Sequence, residues 1–111
     1  MCSQQEAMDI LRETHQRCKA LIPEIKTAYL YGSYARGDYH AESDVDILLT
    51  ADLPQKEIER RCMEIAQISS DISLAHDVTV SVCVKPKQSF SDYTSVLPFY
   101  RNVLKEGIAY G

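Results

Sequence analysis

Two apolar runs, AYLY ending at Tyr31 and VDILL beginning at Val45, enclose the polar segment GSYARGDYHAESD. Runs this short, bounded by glycine and polar residues, read as buried strands joined by a loop. Glycine at 32 breaks the first run, and Gly37 stops any turn of helix over Ser33 to Arg36. Asp44 and Asp46 open the second run with one residue between them. In a strand such residues share a face, about 6.5–7 Å apart along the backbone.

The remaining chain fits around this pair. Residues 4 to 22 have helical periodicity, with Ser3 as N-cap, Glu6 at the capping-box position and Pro23 ending the helix. Ile25 to Tyr31 is the first strand and about Ser43 to Thr50 the second. A helix opened by Pro54 would bury Ile58, Cys62, Ile65, Ile68 (or Ala66) and Ile72. DVTVSVCV, from about Asp77 to Val84, alternates as a third strand, Val78, Val80, Val82 and Val84 on one face. Short helices are expected over Gln88 to Tyr93 and Pro98 to Lys105, the latter with Gly107 at its C-cap. Helices interleaved with strands predict an α/β (α+β) fold, a small mixed sheet flanked by helices. A length of 111 residues fits one domain, 1–111.

Two carboxylates at the head of an apolar strand repel each other unless a cation lies between them. A hard divalent ion such as Mg²⁺ prefers oxygen ligands and relieves that repulsion. Gly32 and Ser33, where a strand gives way to a helical turn, suit phosphate: free N–H groups, a hydroxyl and close backbone approach. Arg36 either neutralises phosphate charge or lies on the surface. A third acid would complete a two-metal set; Asp77, at the start of the third strand, is the best placed, ahead of Asp71 and Asp92. Tyr34 and Tyr39 either stack on a base, meet a partner or cover the sheet, and the last is favoured. His15 is read as structural or surface.

Net charge is −4, without the basic footprint of a nucleic-acid binder. No apolar run approaches the ~20 residues of a membrane span, and the first residues are too polar for a signal peptide. Cys2, Cys18, Cys62 and Cys83 are scattered, with neither disulfide nor zinc spacing. Reduced thiols in a cytoplasmic protein are the expectation. An exposed sheet edge would invite a homo-oligomer.

GSYARGDYHAESDVDILL resembles the signature of the minimal nucleotidyltransferases, small members of the DNA polymerase β-like superfamily. That signature is Gly-Ser, one residue, Ala-Arg-Gly, five residues, then Ser-Asp-x-Asp and apolar residues. The resemblance implies that Gly32 and Ser33 contact the β- and γ-phosphates of a nucleoside triphosphate. It implies Mg²⁺, two ions, on Asp44 and Asp46 with Asp77 as third carboxylate. The implied reaction is transfer of a nucleoside monophosphate, AMP from ATP, to a hydroxyl with release of pyrophosphate. So small a chain has little left to build an acceptor pocket; the proteins it resembles typically pair with a small all-helical HEPN protein, a toxin, and several act as antitoxins by placing AMP on a tyrosine of that partner. The alternatives are an antitoxin that neutralises by binding alone and a small-molecule transferase of the aminoglycoside kind.

Overall fold

The computed structural model describes residues 3–111. The elements run α1 (Gln4–Leu21), β1 (Ile25–Tyr31), α2 (Ser33–Arg36), β2 (Val45–Ala51), α3 (Gln55–Glu59), α4 (Cys62–His76), β3 (Val80–Pro86), α5 (Lys87–Tyr93), α6 (Pro98–Glu106) and β4 (Ile108–Tyr110). The four strands form one mixed sheet in the order β3-β2-β1-β4. β1 is antiparallel to β2 and β4, whereas β3 lies parallel to β2, with α3 and α4 supplying the crossover a parallel pair needs.

Each face of the sheet has its own apolar cover. Ala28, Leu30, Val45, Ile47, Leu49, Val80 and Val84 face the main core with Ile10, Leu11 and Cys18 of α1 and Ile65 of α4. On the opposite face Leu48, Phe90 of α5 and Val103 of α6 form a smaller core edged by Tyr29, Tyr31 and Tyr100. β2 is therefore covered on both sides, which explains why VDILL is a continuous apolar run rather than an alternating one. The side chain of Asp46 belongs to the second, thinly covered face, two residues from Leu48.

α1 starts where expected: the Ser3 hydroxyl accepts the Glu6 N–H at 3.0 Å. It ends at Leu21, with Ile22 already extended ahead of Pro23. His15 is structural, its Nε2–H donating to the Lys26 carbonyl at 3.0 Å and its ring edge-on to Tyr110.

The sequence expectation is corrected at three places. The helix after Pro54 is two helices, broken at Arg60 and Arg61, where the Arg61 N–H turns back to the Ile58 carbonyl. No proline or glycine marks the break; Ile58, Ile65 and Ile72 are buried, while Cys62 and Ala66 stay exposed. The third strand starts at Val80 rather than Asp77, because Asp77 takes the left-handed conformation (φ 52°, ψ 45°) that closes α4. Its N–H and that of Val78 both return to the Ser73 carbonyl, an arrangement that satisfies the helix's last acceptors. The strand β4 was not anticipated, since IAY is too short to signal a strand by pattern; it forms because β1 offers it an unpaired edge.

His76, the last residue of α4, sits between Glu6 (3.2 Å) and Glu13 (3.1 Å) of α1 and ties the two helices together. These carboxylates, Glu13 foremost, hold its pKa above the ordinary histidine value against partial desolvation. A raised pKa stabilises the fold fully below the ordinary value near 6.5, and the contribution is lost as pH rises through the raised one. Melting temperatures recorded across this window are expected to fall with pH in the native sequence and to flatten in His76→Gln. An unchanged slope would rule out the His76 bridge as the titrating element.

Candidate active site

The loop between β1 and β2 builds the site from its glycine outward. Gly32 has φ 78° and ψ −155°, a conformation open essentially to glycine alone. A methyl at this position would lie 2.6 Å from Asp46 Oδ2. The missing side chain thus leaves the backbone of the turn directly against the Asp46 carboxylate. From Ser33 the chain makes one helical turn, closed by Gly37 in the left-handed region (φ 88°). Tyr34 points the other way: it is fully buried and stacks on Tyr39 with centroids 4.4 Å apart. Both tyrosines belong to the main core, so covering the sheet is their role.

After Gly37 the chain is fixed by its own polar groups. The Ser43 hydroxyl accepts the His40 N–H at 2.9 Å, His40 Nδ1 accepts the Glu42 N–H at 3.2 Å, and the Ser43 N–H returns to the His40 carbonyl at 3.0 Å. Asp44 follows this turn directly. Ser43 and His40 therefore set where the first aspartate stands; the serine is a fixed position of the signature, but sequence alone assigned it no task.

Asp44 is exposed, one residue before β2 begins, and Asp46 is half-buried within it. Burial first, and then the Asp44 charge, push the Asp46 pKa above the usual carboxylate range, with Arg36 pulling it back. The Asp46 charge also acts on Tyr31, its direct partner across β1 and β2: with burial as the larger cause, the phenol is pushed up to about 12.

Arg36 is held by Asp38 at 3.2 Å and by Glu106 of α6 at 3.5 Å. It lines, with Tyr31, Gly32, Phe99, Asn102 and Glu106, a cleft of about 160 Å³ beside the turn. A second open cleft, of about 300 Å³, runs from Ala41 to Asp44 and across to Asp77, Val78 and Thr79. Gly32, Asp46 and Asp44 thus lie together, Arg36 flanks them, and Asp77 stands across a cleft from Asp44. Among the described residues no three His, Cys, Asp or Glu side chains converge closely enough to form a metal-binding group, so Asp77 is not drawn in with the aspartate pair. The pair itself suits a hard cation: two neighbouring carboxylates, one exposed and one half-buried, the latter against a glycine that keeps the approach clear.

The sequence profile of the Nucleotidyltransferase domain family matches residues 11–110. The chain belongs to this family. It is 36% identical over 83 residues, three quarters of each chain, to a Methanocaldococcus jannaschii protein to which the name protein adenylyltransferase has been assigned. Among solved structures it is similar to a chain from Sulfolobus solfataricus assigned as a nucleotidyltransferase (TM-score 0.67, 20% identity, 96% of this chain and 81% of that one). It is also similar to a chain of a toxin–antitoxin crystal structure with AMP-PNP (TM-score 0.59, 23% identity, 97% of this chain and 73% of that one). Such distant structural likeness establishes the shared polymerase β-like fold, and membership of the family makes the chain a nucleotidyltransferase.

Proposed function

We propose that the protein transfers AMP from ATP to a tyrosine hydroxyl of a helical HEPN-type toxin and thereby acts as its antitoxin in the cytoplasm. The observation that carries the reading is the cradle at Gly32, where bare backbone abuts the Asp46 carboxylate. A triphosphate on the Gly32–Ser33 turn would lie beside Asp46. Asp44 and Asp46 would hold Mg²⁺, which when bound supplies charge neutralisation of the phosphates and of the departing pyrophosphate. Arg36, fixed between Asp38 and Glu106, adds a positive charge at the rim.

In the reaction the acceptor oxygen bonds to the α-phosphorus, the bond from that phosphorus to the bridging oxygen breaks, and pyrophosphate leaves with that oxygen. The acceptor's proton goes to a carboxylate of the cleft. Asp77, which lines a cleft with Asp44, would take this acceptor-side role.

A protein acceptor is favoured by the surface of α5 and α6. Of the large apolar side chains exposed among the described residues, Tyr93, Val96, Leu97, Phe99 and Leu104 fall within this one stretch, and Phe99 also lines the cleft beside Gly32. Apolar exposure concentrated next to a site suits a docking partner. The relative named as a protein adenylyltransferase supports the same class of acceptor.

Incubation with ATP, Mg²⁺ and the product of the neighbouring gene is expected to add the mass of AMP to a tyrosine of that protein. If the partner gains no mass yet is still neutralised by the Asp44→Asn/Asp46→Asn double variant, binding alone is the mechanism.

A further inference from the structure

We infer that Ser81 fills the third ligand position of the metal site, so that this chain holds its divalent cation through two carboxylates and a hydroxyl. The inference rests on the proposed assignment of Asp44 and Asp46 to the metal and concerns what completes their set. In the parallel ladder of β2 and β3, Asp46 is the register partner of Ser81, with Val45 opposite Val80 and Ile47 opposite Val82 on either side. Register partners project to the same face, and neighbouring strands lie about 4.8 Å apart. Val80 and Val84 are buried on the α1 and α4 side, which puts Ser81 on the other face with Asp46. Ser81 is exposed and stands on an edge strand, open to a ligand.

The other neighbour of Asp46, Tyr31 on β1, is engaged edge-on by Phe99 and stands on the inner flank. Asp77 is separated from the strand by Val78 and Thr79, its backbone closes α4, and it lines the cleft with Asp44 rather than the strand position beside Asp46. The place beside Asp46 where a third carboxylate would share its cation is therefore occupied by a neutral oxygen.

The consequence is a site of lower charge. Two carboxylates hold a divalent ion weakly by themselves, and the phosphates of the substrate must supply the remaining oxygens. Metal loading then follows nucleotide binding, and the free protein carries little metal.

Mn²⁺ titrated into the protein without nucleotide or partner, read by the loss of the free-ion paramagnetic resonance signal, tests this. Ser81→Asp is expected to tighten Mn²⁺ binding at least about tenfold, Asp46→Asn to remove binding, and Asp77→Asn to leave it within about twofold of the native protein. Asp77→Asn weakening binding as much as Asp46→Asn, or Ser81→Asp binding no more tightly than the native chain, would overturn the inference. The Asp77→Asn arm uses the native strand and so stands even if Ser81→Asp folds poorly. Failure of AMP transfer would sink the proposed function but leave this ranking of affinities intact, because the titration contains neither ATP nor acceptor.

Discussion

Asp46→Asn is expected to abolish nucleotidyl transfer, by at least about a thousandfold in kcat or about 4 kcal/mol, and at the same time to raise the melting temperature of the metal-free protein. The loss follows from removing the carboxylate that abuts the Gly32 turn. The gain follows from electrostatics. Burial and the neighbouring Asp44 charge hold the Asp46 pKa above its ordinary value. Such a group favours the folded state while it is protonated, and that advantage is lost as pH rises through the raised pKa. At neutral pH the ionised carboxylate is thus a cost that asparagine, of the same shape and without charge, does not carry. A few degrees of stabilisation at neutral pH, shrinking toward nothing near pH 4, is the expected pattern in a thermal melt with chelator. An Asp46→Asn variant that melts below the native protein at neutral pH would show that the carboxylate is satisfied by its surroundings and is not waiting for a cation.

The same opposition predicts competition between proton and metal. As the acid side is approached, Asp46 takes up a proton at a higher pH than an unperturbed carboxylate would, so affinity for a divalent ion declines early. Arg36 limits that rise, and its own position depends on Asp38 and Glu106. The site is thereby linked to α6, the helix that also carries the exposed Phe99.

Much of this arrangement was legible in the residues because each local signal agreed with the next. Gly32 could be read as a strand end, and it is one; that its backbone abuts Asp46 is a contact between β2 and the turn after β1 that no spacing rule supplies. A period of two suggests that the two aspartates share a face, but β2 begins at Val45, so only Asp46 lies in the strand. Asp77 could not be placed well, because DVTVSVCV alternates from its first residue and pattern alone extends the strand to the end of the alternation. The backbone instead uses Asp77 as a left-handed cap, a conformation aspartate tolerates better than most residues. Ser81 was hidden for the same reason: only the register of β3 against β2 identifies it as the neighbour of Asp46. The division after Ile58 had no proline or glycine to announce it, and β4 was too short for its pattern to be distinctive.

Gly32→Ala should damage both the fold and the site. Two costs fall on it. Alanine at φ 78° and ψ −155° is strained by the backbone itself, on the order of 1–3 kcal/mol. The added carbon also meets Asp46 Oδ2 at 2.6 Å, a separation that no real contact of this kind tolerates, so the carboxylate must swing away or the turn must open. Either response displaces the acid from the turn, and a loss of at least about a hundredfold in transfer, or about 3 kcal/mol, is expected. Gly37→Ala provides the contrast: its φ is also positive, at 88°, but nothing lies within 4 Å of the added methyl. It should cost stability through backbone strain and leave transfer largely intact. The two parts of the Gly32 effect separate in a double-mutant cycle with Asp46→Ala, which removes the clashing oxygen but not the strain. Gly32→Ala should lower the melting temperature less in the Asp46→Ala background than in the native one. Equal losses in both backgrounds would mean that the backbone accounts for the whole penalty, and that the close approach of Gly32 to Asp46 contributes nothing to holding the site together.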